Sequence, residues 1–147
     1  MFATGSLARR IERAEASLIA ESATAAGQRA GGQRAFTVSV RGGIAAFVEA
    51  QSPINKVAGL GFDGVPTDVE MAVVERTYAQ RGAPLVVELS SFADPLVARL
   101  LTRRGYELIG YENVSAKALE QPGASMDWDD ALTIARVGPA EAAAWLD

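Results

Sequence analysis

Among the 147 residues there is no histidine and no cysteine, so the side chains able to do chemistry are few. Thiolate nucleophiles, disulfides and Cys/His zinc sites are excluded within the chain, and so is any Ser-His-Asp arrangement. Acid–base work falls to Asp, Glu, Tyr, Lys or a bound water. The carboxylate best placed for it is Glu88, at the end of the apolar run Leu85-Val86-Val87. There it is a candidate general base acting through a water, or a strand-end carboxylate held by neighbouring N–H groups, which is the favoured reading. Tyr78, Tyr106 and Tyr111 read as half-buried packing residues. Gly59 and Gly61, in Asn55-Lys56-Val57-Ala58-Gly59-Leu60-Gly61, suit either an irregular strand end or close backbone approach by a ligand. The strand end is the favoured reading, and the two glycines stand as candidate cofactor-binding positions.

The elements that must position these residues follow from periodicity and punctuation. Ser6 to about Ala26 has Leu7, Ile11, Ala14 and Leu18 at helical spacing, which predicts a long helix facing a core along that stripe. Gly27 to Gln33 reads as a flexible connection. Phe36, Val38 and Val40 alternate, Arg41-Gly42-Gly43 turns the chain, and Ile44 to Val48 returns, a hairpin. Asn55 to Gly61 reads as a third strand. Thr67 with Glu70 three residues on forms a capping box and opens a helix to about Arg81, with Met71, Val74 and Tyr78 inward and Gly82 at its end.

The stretch Pro84–Asn113 then predicts strand, helix and strand with very short connections. Leu85 to Leu89 suits a strand buried on both faces. Asp94 stands at an N-cap and Pro95 at the first helical position. Leu96, Val97, Leu100 and Leu101 form one apolar face, and Arg103 and Arg104 suit the negative C-terminal end. Gly105 closes the helix, and Tyr106, Leu108 and Ile109 return the chain to a sheet. The fold class expected is α/β, a mixed, mostly antiparallel sheet flanked by helices.

Composition sets further bounds. Hydrophobic residues make up 49% and charged residues 22%, as in a globular chain with one core. A net charge of −4 argues against nucleic acid or an anionic membrane as the main partner. Arg9–Arg10 and Arg103–Arg104 read as solvated helix faces and ends. No apolar run reaches the ~20 residues of a membrane helix and no signal-peptide pattern opens the chain. The expectation is a cytoplasmic location.

"VELSSFADPLVARLLTRRGYELIGYENV" resembles the C-terminal strand–helix–strand of the GNAT superfamily of acyl-CoA-dependent N-acetyltransferases, whose Gly-aromatic stretch is matched here by Gly105, Tyr106 and Gly110. The resemblance is tight over Pro84–Asn113 and loose over the rest, and the element order matches that fold without its first strand. It implies an acetyl-CoA cofactor, an amine acceptor on a small molecule or peptide, and transfer of the acetyl group to that amine. In the family a loop patterned Arg/Gln-x-x-Gly-x-Gly/Ala receives the pyrophosphate at a helix N-terminus. The matching place here, Gly61 to Asp68, has no arginine and two aspartates, Asp63 and Asp68. The family's tyrosine proton donor aligns with Leu101, which cannot donate.

The resemblance therefore implies a degenerate, non-catalytic GNAT-like domain over 1–119, in which no catalytic residue beyond the candidate Glu88 is expected. A linker follows over 120–130, polar and turn-rich. Ala131 to Val137 and the segment from Pro139 onward then read as the opening strand and helix of a second, catalytic unit over 131–147, truncated. That unit and a second copy of the chain are the expected protein partners. The alternative from a different class is a stand-alone binding or dimerisation module with this fold.

Overall fold

The computed structural model describes residues 3–29, 34–117 and 138. Two compact units are distinguished, Phe2–Glu112 and a second formed by Met1 with Asn113–Asp147. Of the second only 113–117 and Gly138 are described, and 113–117 contain neither helix nor strand. The linker over 120–130 and the strand and helix expected over 131–147 lie outside the described residues.

In the first unit the elements run α1 (Gly5–Gln28), β1 (Phe36–Val40), β2 (Gly43–Phe47), β3 (Lys56–Ala58), α2 (Asp68–Ala79) and α3 (Pro95–Arg103). The class is mixed α/β. The strands lie in the order β1-β2-β3, each antiparallel to its neighbour. Phe36 stands opposite Phe47 and Ile44 opposite Ala58. Arg41 and Gly42 both take positive φ, at 42° and 79°, the turn geometry whose twist suits a two-residue hairpin.

Two apolar layers form on the two faces of the sheet. On one, Val40, Ala45, Val57 and Leu60 meet Met71, Val74 and Tyr78 of α2 and Val97, Leu100 and Leu101 of α3. Tyr78 stands edge-on to both Phe36 and Phe47, and its hydroxyl donates to the carbonyls of Ala46 and Lys56. On the other face Ala16, Ile19 and Ala23 of α1 pack on Ala46 and Ala58. Alanine on both sides lets the helix axis lie close to the strands.

That close packing moves the buried stripe of α1 from where periodicity places it. Leu18 is 55% exposed while Ile19 is 1% exposed, and Ala14 is exposed while Ala16 is buried. The apolar pattern is compatible with either set, and the small residues at 16 and 23 decide which one can approach the sheet. The helix also runs on to Gln28, so the connection expected from Gly27 begins later.

α2 follows the sequence closely. Thr67 is its N-cap, and the reciprocal bonds with Glu70 are both made. Asp94 and Pro95 open α3 as expected, with the Leu96 N–H donated to Asp94 Oδ1 at 2.9 Å. Leu96 itself, expected inward, is 50% exposed.

Three expected strands differ. Of Asn55–Gly61 only Lys56–Ala58 is strand, because Gly59 and Gly61 turn to positive φ of 77° and 85°. Leu85–Leu89 joins the sheet through one parallel bridge, Val57 to Val87, and is half-buried where burial on both faces is expected. Tyr106–Ile109 does not return to the sheet. The Tyr106 N–H is donated to the Leu101 carbonyl, closing α3, and its hydroxyl to Glu75. Beyond it Leu108, Ile109 and Tyr111 are 70%, 84% and 87% exposed, so Tyr111 is no packing residue and Tyr78 is fully buried.

The displaced stripe sets up a direct comparison. Ile19→Ala leaves a cavity under α1 and costs about 2–5 kcal/mol, whereas Leu18→Ala stays within about 0.5 kcal/mol of the parent. Urea unfolding of the two variants measures the difference, and equal losses would show the helix rotated from this position.

Candidate functional site

α1 carries Glu12 and Glu15 one turn apart, and β3 presents Lys56 and Ala58 to that helix while Val57 faces the other layer. Glu88, one residue past Val87, lies on the Lys56 side. The period of the strand and the three-residue step on the helix therefore assemble a cluster from three distant segments. The Lys56 ammonium donates to Glu15 Oε1 at 2.7 Å and to Glu88 Oε1 at 2.8 Å. Its side chain is only 15% exposed. The Gly59 N–H donates to Glu12 Oε2 at 3.1 Å, and Glu12 feels the charges of Glu88, Glu15 and Lys56.

One cation thus faces three carboxylates. Burial pushes the Glu12 carboxyl above its ordinary range; the bond from Gly59 opposes this, and the charges of Glu88 and Glu15 add to it. For Lys56, burial acts to lower the ammonium but the bonds from Glu15 and Glu88 outweigh it, so its pKa is raised. Chemically the cluster holds a partly desolvated carboxyl against a backbone amide and locks a carboxylate onto an ammonium.

The structure brings Glu88 and Glu12-bound Gly59 into this one cluster and leaves Gly61 outside it. Glu88 is held by the ammonium of Lys56, where neighbouring N–H groups were the expected holders. Gly61 does serve close approach, but to the protein's own chain, while Gly59 is favoured by its positive φ of 77°. A Cβ on Gly59 would meet the Glu12 carbonyl and Gly43 Cα at 3.4 Å, and one on Gly61 would meet Val97 Cγ2 at 2.9 Å and Ala93 Cβ at 3.0 Å. The Gly61 carbonyl accepts from the Asp94 N–H at 3.0 Å, so this glycine seats the start of α3.

Glu12, Glu15 and Lys56 escape sequence reasoning because their partners are remote. The usable signal is a lysine inside an apolar run, since a buried lysine needs carboxylate partners. The same remoteness hides two further ties. Arg9 pairs with Asp63, donates to the Phe62 carbonyl and stands over the Phe62 ring. Arg104 takes Glu75 with both Nε and Nη2, at 2.8 and 2.6 Å, and Asp68 at 2.7 Å. Neither arginine is the solvated residue expected, and both aspartates of the Gly61–Asp68 loop are paired with a cation.

At the N-terminus of α2 the Glu70 carboxylate accepts from the Thr67 N–H at 2.7 Å, from the Thr67 hydroxyl at 2.8 Å and from Arg41 at 3.1 Å. These bonds, led by the backbone one, hold its pKa below the usual carboxylate value. Among the described residues no group of three or more His, Cys, Asp or Glu side chains is placed to hold a metal ion, and no helix is long and apolar enough to cross a membrane.

Comparison with known proteins returns no matching family model, no matching curated protein and no matching solved structure.

Glu12 generates a pH test. Its folded pKa lies above the unfolded value, so ionising it costs more in the folded state. That penalty is absent well below the unfolded value of about 4.3 and is complete once pH exceeds the raised folded value. Glu12→Gln keeps an acceptor for Gly59 and removes the charge. It should therefore melt above the parent at neutral pH, with the gap closing in acid. A gap that stays constant from acid to neutral pH would refute the desolvated carboxyl.

Proposed function

We propose that this chain is a non-catalytic, GNAT-like lobe of an acetyl-CoA-dependent N-acetyltransferase, supporting a catalytic unit and shaping its amine-acceptor site. The reading rests first on the resemblance over Pro84–Asn113. It is supported by element order, α1 then a three-stranded antiparallel sheet, α2, a segment bridged parallel to β3, and α3.

One observation carries the non-catalytic part. An anion at a helix N-terminus is held by free N–H groups and the dipole, and at α2 the helix's own Glu70 carboxylate already occupies that position with the Thr67 N–H and hydroxyl. The physical reason differs from the one composition suggests. Asp63 and Asp68 are offset by Arg9 and Arg104, so repulsion from bare aspartates is weaker than the loop sequence implies. Self-capping instead takes up the Thr67 and Glu70 N–H groups and puts a carboxylate beside the helix start. Leu101, at the position of the family's proton donor, is a core residue 7% exposed. Glu88, the candidate base, is engaged by Lys56.

Calorimetric titration of the 147-residue chain with acetyl-CoA is the test, and no heat is expected at micromolar ligand. A micromolar dissociation constant would reverse the assignment of this lobe. Thr67→Ala, which removes the N-cap at a cost of about 1 kcal/mol, should not create binding, because the Glu70 carboxylate remains.

A further inference from the structure

The segment Leu85–Leu89 is a sheet edge with one side used and one side open. Val57 donates its N–H to the Val86 carbonyl at 2.8 Å, and the Glu88 N–H donates to the Val57 carbonyl at 2.9 Å. In a parallel ladder this pattern turns the N–H and C=O of Val87 away from β3. Among the described residues neither has a hydrogen-bond partner, nor do the backbone groups of Leu85 and Leu89. Their side chains pack against the α2–α3 core layer, so the open edge is backed by a formed core.

The same unit carries a chain segment lacking what that edge supplies. Glu107–Glu112 follows α3 with no helix, strand or backbone hydrogen bond. Its Leu108, Ile109 and Tyr111 are 70%, 84% and 87% exposed, a concentration of exposed apolar side chains typical of an association surface.

We infer that two copies of this chain associate by reciprocal strand exchange, Glu107–Glu112 of each lying along the outer edge of Leu85–Leu89 of the other. Each copy offers this edge and one such segment, so a two-fold pair uses both at once and the association closes on itself. Side-chain area is sufficient. Three apolar side chains from each copy, with the edge residues they cover, bury on the order of 1,000 Å² in total, the lower range for a specific interface. The inference stands whether or not the lobe serves an acetyltransferase, because acetyl-CoA binding has no part in it.

Light scattering of the 147-residue chain across a micromolar concentration series tests it, with twice the monomer mass expected at the upper end. Ile109→Lys combined with Tyr111→Lys changes only exposed residues and keeps the core, so thermal unfolding in dilute solution should match the parent. Its dimer dissociation constant should rise at least about tenfold. Val87→Pro removes the outward donor and spares both bonds to β3, and should weaken the dimer likewise, its own melting curve reporting whether it is folded. A parent chain that stays monomeric throughout, or a dimer unaffected by the double lysine variant, would overturn the inference.

Discussion

A strand of three residues has too few backbone bonds to stay in place by itself, and β3 is held because every part of it is engaged from a different direction. Its inner edge pairs with Ile44, Ala45 and Ala46 of β2, and its outer edge donates to the Val86 carbonyl and accepts from the Glu88 N–H. Val57 is buried in one layer and Ala58 in the other. The Lys56 carbonyl accepts from the Tyr78 hydroxyl at 3.2 Å, while its ammonium joins α1 to the Glu88 segment. Helix, sheet and the segment before α3 are thus positioned by their contacts with one short strand. Ordering those segments costs conformational entropy, which apolar burial on both faces offsets.

The charged groups of the first unit act as ties between elements. Arg9 joins the start of α1 to the loop after β3, Lys56 joins α1 to Glu88, and Arg104 joins the end of α3 to the start of α2. The Arg104 pair has the geometry that makes such contacts effective, two parallel bonds from a planar guanidinium to one carboxylate. Its arginine side chain is 18% exposed, so the pair is less screened than an ordinary surface bridge. Glu75, bonded by Arg104 and by the Tyr106 hydroxyl, has its pKa lowered, with the Arg104 bond the leading cause.

These ties bear on function by using up groups that a ligand site needs. Glu88 Oε1 accepts from the Lys56 ammonium, so this carboxylate serves as a tie between elements. An anion site needs open N–H groups, and α2 begins with its own carboxylate in place. A glycine receives a ligand only where the protein leaves room, and Gly61 lies against Val97 and Ala93. The proposed non-catalytic reading draws its support from these contacts. Among the described residues, Leu85–Leu89 and Glu107–Glu112 are segments with backbone groups left unpaired.

What the sequence by itself determined is local. The Thr67–Glu70 capping box, the Asp94–Pro95 start of α3, the Arg41–Gly42 turn and the inward Met71, Val74 and Tyr78 all appear where the residues place them. Each depends on interactions within about one helical turn or one hairpin, and such interactions are written in adjacent residues. Tertiary structure alone decided the rest. Which stripe of α1 is buried depended on the alanines of β2 and β3 that it meets. Whether Tyr106–Ile109 became a strand depended on a partner edge, since an extended segment is stable only where another strand supplies its bonds. The site was legible only in part. Glu88, Gly59 and Gly61 stand out in sequence, but Glu12 and Glu15 lie more than forty residues from the strand they serve, and Arg9 and Arg104 more than thirty from their aspartates. Pairing at that separation is settled by packing, because side-chain charge carries no information about which distant segment the fold will bring beside it.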